Sequence, residues 1–224
     1  MSSIIKLIDF DEQELLDYTK LQLASFLPAI KFSQSYSIID KYFSEALERL
    51  RICINSVRLW RPNYFDPLHS SQYSIYLYYL SNCIWRDIGD AQRVPTLLFS
   101  LNKFLNGIDM FYEITLPDKF FIGHTIGIVL CKATYSNYLA LYQGVTVGKN
   151  HGIAPVIDRR VLLYPGSKII GDSHIKSNTI VSAGVNVINC CPPSSSIVFT
   201  GSDGKCAFKP IKKNGLADIF FDHE

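Results

Sequence analysis

This 224-residue chain has no apolar run long enough to cross a bilayer: Tyr73 to Trp85 is apolar, but well short of the roughly 20 residues a spanning helix needs. Met1 to Lys20 carries acidic residues throughout and no apolar core, which excludes a secretory signal. Basic clusters are missing too. The net charge is +2, and Lys212-Lys213 is too short to line a nucleic-acid groove. The six cysteines (Cys53, Cys83, Cys131, Cys190, Cys191 and Cys206) lack metal-ligand spacing, and adjacent Cys190-Cys191 read as packed thiols. These absences describe a reduced, cytoplasmic protein with no expected transmembrane segment, metal or nucleic-acid partner. With 48% hydrophobic residues, the chain has enough apolar material for a sizeable core.

What is present is a period of six. Ile157, Leu163, Ile169, Ile175, Val181 and Val187 recur at that interval, and Tyr135, Leu141 and Val147 carry it upstream. A period of six suits neither a strand nor a helix, so it describes a repeating unit of short strands and turns. The fourth residue after seven of the nine is small or aliphatic (Leu139, Val145, Val161, Ser167, Ser173, Thr179, Val185), and the residues between are mostly polar or glycine. Two inward positions per hexad predict a parallel β-helix in which each coil buries its face on the next. Between Val147 and Ile157 the step is ten, which predicts a loop, Gly148 to Val156, pushed out of the coil.

The first hundred residues read as helices: Asp11 to Leu27 behind an acidic cap, Tyr36 to Trp60 with an apolar stripe, Ser70 to Arg86, and Pro95 to about Asn106-Gly107. The aromatics of the third helix suit core or subunit packing better than a ligand platform. The expected class is α+β: an N-terminal helical domain (1–110), a β-helix (111–202) and a C-terminal tail (203–224). The short apolar end Ile219-Phe220-Phe221 has no assigned place.

Glu113-Ile114, Ile122-Gly123-His124-Thr125-Ile126-Gly127-Ile128-Val129 and Tyr142-Gln143-Gly144-Val145-Thr146-Val147-Gly148 together resemble the coil of serine O-acetyltransferases. Pro155-Val156-Ile157, Gly166-Ser167-Lys168-Ile169-Ile170-Gly171 and Ser182-Ala183-Gly184 continue the resemblance as far as Gly201. It implies a left-handed β-helix, acetyl-CoA as donor, and a homotrimer, alone or paired through the helical domain as a dimer of trimers, with active sites between subunits.

Acetyl transfer to a hydroxyl needs a base, and histidine is the side chain with a suitable ordinary pKa. Of five histidines, His124 alone matches the family's catalytic position. His69 lies in a turn, His151 in the extruded loop, His174 within a hexad and His223 in the tail. Glu113 matches the carboxylate that orients the imidazole, although the family more often has Asp there. The resemblance places the pantetheine arm of acetyl-CoA along Gly148, Gly166, Ser182, Ala183, Gly184 and Gly201. Asp66, in Asp66-Pro67, matches an aspartate that meets the substrate amine, and His151 is a candidate substitute in the acceptor loop. Plainer readings stand beside these: a coil-corner histidine, a solvated strand residue, an ordinary Asp-Pro turn, and corner glycines that any β-helix needs.

The acceptor side departs from the family. Gly123 replaces an aspartate before the histidine, and Ile153-Ala154 replaces an Arg-His pair before Pro155. Nor does the sequence end in the isoleucine by which the family docks a cysteine synthase, finishing instead in Asp222-His223-Glu224. The leading expectation is an acetyl-CoA-dependent O-acetyltransferase acting on serine or on a sugar hydroxyl of surface polysaccharide. The alternatives are N-acetylation of a nucleotide-linked amino sugar and a catalytically idle β-helix scaffold.

Overall fold

The protein, described here from a computed structural model covering residues 5–27, 33–211 and 217–221, places four helices ahead of a parallel β-solenoid. The chain end at Asp222-His223-Glu224 and the pair Lys212-Lys213 lie outside the described residues. Helix α1 (Glu12–Phe26) opens with a capping box: Glu14 N–H donates to Asp11 Oδ1 and Asp11 N–H to Glu14 Oε2, both at 2.8 Å. Helices α2 (Ser33–Asn55) and α3 (Ser70–Ile88) pack together, and α4 (Val94–Asn106) starts with Pro95 in its first turn and stops at Gly107. Among the described residues no helix is long and apolar enough to cross a membrane.

The period of six is explained by three sheets. The first stacks Phe120–Ile122, Leu139–Leu141, Leu162–Leu163, Ile180–Val181 and Ser196–Thr200. The second stacks Asp109–Met110, Val129–Leu130, Thr146–Gly148, Lys168–Ile170 and Asn186–Ile188, and the third Thr134–Tyr135, Val156–Ile157 and His174–Ile175. Each step of six moves to the next sheet. Leu163 pairs in register with Leu141 and Val181, Ile169 with Val147 and Val187, and Ile157 with Tyr135 and Ile175. All are buried, as are the fourth-residue positions. The solenoid begins at Asp109, two residues ahead of the boundary expected from the hexads.

Helix α3 is the seam between the halves. Its Tyr73, Tyr76, Tyr78 and Tyr79 are core residues, as their spacing suggests. The segment from Phe111 to Lys119 has no regular strand, so its backbone groups need side-chain partners. Tyr78 Oη donates to Ile114 O and accepts from Leu116 N–H, Tyr79 Oη donates to Asp118 O at 3.2 Å, and Asn82 Nδ2 donates to Tyr112 O at 2.7 Å.

The tail has a definite place. Cys206–Pro210 turns back antiparallel on Ser196–Thr200, and the last turn, α5 (Ala217–Phe220), returns to the helical half. Arg58 N–H donates to Phe220 O at 2.8 Å, and Phe221 bridges Val57. The Phe221 ring meets Tyr138 of the coil edge-on at 5.4 Å and is fully buried. Phe221→Ala is expected to lower unfolding free energy by about 3 kcal/mol through the cavity it leaves, measured as a lower urea midpoint with an unchanged slope.

Candidate active site at one edge of the solenoid

His124 stands on the edge where the first sheet turns into the second. Phe120–Ile122 is buried throughout, and the chain then turns over Gly123 to Gly127. Backbone bonds clamp that turn from both sides: Gly123 N–H to Leu141 O at 2.8 Å, Gly127 N–H to Gly107 O at 2.9 Å, and Gly144 N–H to Ile126 O at 3.0 Å. Thr125 is buried, whereas His124 is exposed. A rigid corner therefore carries an imidazole open to solvent.

The register sets what lies along this edge. Continuing the ladder Ile122↔Leu141↔Leu163↔Val181↔Val198 by one residue gives a column of Gly123, Tyr142, Tyr164, Ser182 and Phe199. The next column is His124, Gln143, Pro165, Ala183 and Thr200. Of the residues expected to line a cofactor groove, Ser182, Ala183, Gly166 and Gly184 thus share the edge with His124, and Gly201 follows at its far end, in the turn closed by its N–H to Lys205 O.

Glycine is required here by backbone shape. Gly144 and Gly166 both have φ of +70°, and a Cβ on Gly144 would come 3.5 Å from Gly166 Cα. A Cβ on Gly184 would meet nothing within 4 Å. The result is a stripe of bare main chain beside the histidine column, which a slender ligand can approach closely. Gln143, in the motif but given no role by the sequence reading, adds a polar group: its Oε1 is buried with no donor among the described residues.

Other expected site residues lie elsewhere. Glu113 sits near the edge between the second and third sheets, where Lys132 Nζ pairs with its Oε2 at 3.3 Å, and no hydrogen bond joins it to His124. Within one chain the second sheet, whose strands run two or three residues, lies between the two edges. Gly148 ends a strand of the second sheet and also faces that other edge. The ten-residue step is a compact excursion there, not an open arm: Asn150 and Ile153 exchange backbone hydrogen bonds at 3.0 and 2.9 Å around His151-Gly152. His151 has a φ of +47° at the exposed tip.

A second carboxylate, which sequence reading passed over, lies at the start of the second sheet, which the chain enters from the His124 turn. Asp109 pairs with Val129, at the start of the strand that follows the His124 turn, and its carboxylate meets Lys103 Nζ at 2.6 Å. Asp66 lies by the same edge, because the first turn of α3 docks there through Ser71 Oγ to Gly123 O at 3.4 Å. Its Oδ1 accepts Leu68 N–H at 2.9 Å, the geometry of an Asp-Pro turn.

No family model matches the chain. The serine acetyltransferase of Synechococcus elongatus is 29% identical over 124 residues, 52% of this chain and 49% of that protein. That of Staphylococcus epidermidis is 31% identical over 139 residues, 56% of this chain and 64% of that protein. The chain thus spans about half to two thirds of the length of these relatives. In three dimensions it is similar to the serine acetyltransferase of Vibrio cholerae, with a TM-score of 0.72, 16% identity, and coverage of 94% of this chain and 84% of that one. A soybean serine acetyltransferase complexed with serine gives 0.68 at 17% identity, covering 88% and 84%. These likenesses show a common fold.

Gly144→Ala, which forces a side chain into the left-handed region, is expected to destabilise the protein by about 1–2 kcal/mol, read from urea unfolding. An unchanged midpoint would mean that this corner relaxes freely.

Proposed function

For a chain that is serine-acetyltransferase-like in coil sequence and in fold, we propose acetyl transfer from acetyl-CoA to the hydroxyl of a small acceptor, with His124 as general base. The observation that carries this reading is the edge itself: an exposed histidine on a clamped turn, beside a stripe of main chain bare of side chains. The bound donor would supply the acetyl thioester. Main-chain groups around Gly166, Ser182, Ala183 and Gly184 would hold its pantetheine arm, and Gln143 Oε1 offers an acceptor for an N–H or O–H there. His124 takes the proton of the attacking hydroxyl, and that proton leaves with the thiol.

Two carboxylates compete to orient the imidazole. Asp109 lies on the same chain one coil away, whereas Glu113 at the opposite edge reaches a histidine only across a contact between copies. The division of expected site residues between two edges supports a trimer whose sites form between neighbours. Serine is the acceptor named for the curated relatives, and a sugar hydroxyl is the other candidate.

His124→Ala is expected to reduce kcat by about 10²–10⁴ without loss of fold, measured by thiol release from acetyl-CoA. Near-normal turnover would sink the assignment. Comparing kcat of Asp109→Asn with that of Glu113→Gln sorts the partners, since removing the carboxylate that orients the imidazole costs turnover and removing the other does not. A loss in Glu113→Gln alone would support a site formed between copies.

A further inference from the structure

The ring of Tyr142 occupies the place where a side chain at position 123 would go. A Cβ built on Gly123 would lie 2.7 Å from Tyr142 Cε1 and 2.9 Å from Cδ1, closer than real side chains approach. The ring has little freedom to yield. It stacks on Tyr164 at 5.5 Å between centroids and 12° between planes, while Phe121 and Phe220 each meet it edge-on at 6.1 Å. Phe220 is itself stacked on Phe121 at 5.3 Å and anchored through its carbonyl to Arg58 N–H. The C-terminal segment thereby fixes a ring beside the residue that precedes His124.

This arrangement decides which charges stand next to the base. A carboxylate at 123 would offer a counter-charge to an ammonium group, but only glycine fits beneath the ring. Tyr142 is half-buried, and burial raises its pKa, so it presents a neutral phenol. Of the carboxylates near this edge, Asp109 is already paired with Lys103, and Asp66 is turned toward its own loop by Leu68 N–H on Oδ1. Aromatic rings with free phenol edges suit a sugar, whose C–H faces pack on rings and whose hydroxyls exchange hydrogen bonds with phenols.

We propose that Tyr142 sets the acceptor class: by filling the place beside His124 that an amine-anchoring carboxylate needs, it selects an uncharged, sugar-type hydroxyl compound over an amino-acid zwitterion. The proposal rests on the O-acetyltransferase reading above. A site lacking the partner of a charged substrate group discriminates strongly against that substrate.

Gly123→Asp, Gly123→Asp/Tyr142→Leu and wild type are compared in two ways. Gly123→Asp alone should melt below wild type, and adding Tyr142→Leu should restore most of the loss. By calorimetry, the double variant should bind L-serine about ten-fold more tightly than wild type. In turnover with acetyl-CoA, wild type should prefer D-glucose or D-galactose to L-serine, and Gly123→Asp/Tyr142→Leu should move that ratio of kcat/KM toward serine by about ten-fold. Tyr142→Phe, which keeps the ring, should leave the exclusion of serine in place. Wild-type kcat/KM for L-serine equal to or above that for the sugars would overturn the proposal, as would unaltered melting of Gly123→Asp. Acetyl-CoA titration separates the two levels: donor binding with an unmoved acceptor ratio sinks only the role of Tyr142, whereas no donor binding to any of the proteins sinks the transferase reading as well.

Discussion

The backbone ladder between coils is the constraint on which the rest of the molecule depends. Each strand passes its N–H and C=O groups to the coils before and after it, so each residue's edge and height follow from its register. A slip of one residue would turn Leu163, Ile169 and Ile175 outward together and expose an entire column of apolar side chains. That collective penalty is why single positions such as His124 and Gln143 can be held on consecutive coils without any bond between their side chains.

The solenoid was legible in the sequence because its inward residues repeat: the same aliphatic positions that set the period of six are the buried ones. Gly166, Ser182, Ala183 and Gly184 follow His124 along one edge for the same reason. The start of the coil was harder to read. Asp109–Met110 offers one short strand before an irregular stretch that borrows its partners from Tyr78, Tyr79 and Asn82, so no hexad marks it. Glu113 shows a different limit. Linear spacing from His124 says nothing about which edge a residue occupies until the length of the first coil is known. Ile219-Phe220-Phe221 lacks any period, and the surfaces that receive it, Val57, Phe121 and Tyr138, come together only after folding.

The two halves are joined by aromatic contacts from α3 and from Phe220 and Phe221. Helix α3 supplies tyrosines from within, and Phe220 and Phe221 close the seam from the far terminus. The candidate site borders this seam, since Ser71 of α3 and Phe121 of the first sheet flank the corner. Stability of the seam and geometry at His124 are therefore coupled through Phe121 and Tyr142.

The antiparallel strand Cys206–Pro210 has a further consequence. A stack of parallel coils ends in a row of unsatisfied backbone groups, and that open end is a template onto which another molecule could add in the same direction. By reversing direction on Ser196–Thr200, the chain uses those groups itself and leaves the strand that carries exposed Lys209, not a parallel strand, at that edge. At this end of the first sheet the described edge is therefore an antiparallel strand that carries an exposed lysine, a feature that discourages edge-to-edge pairing.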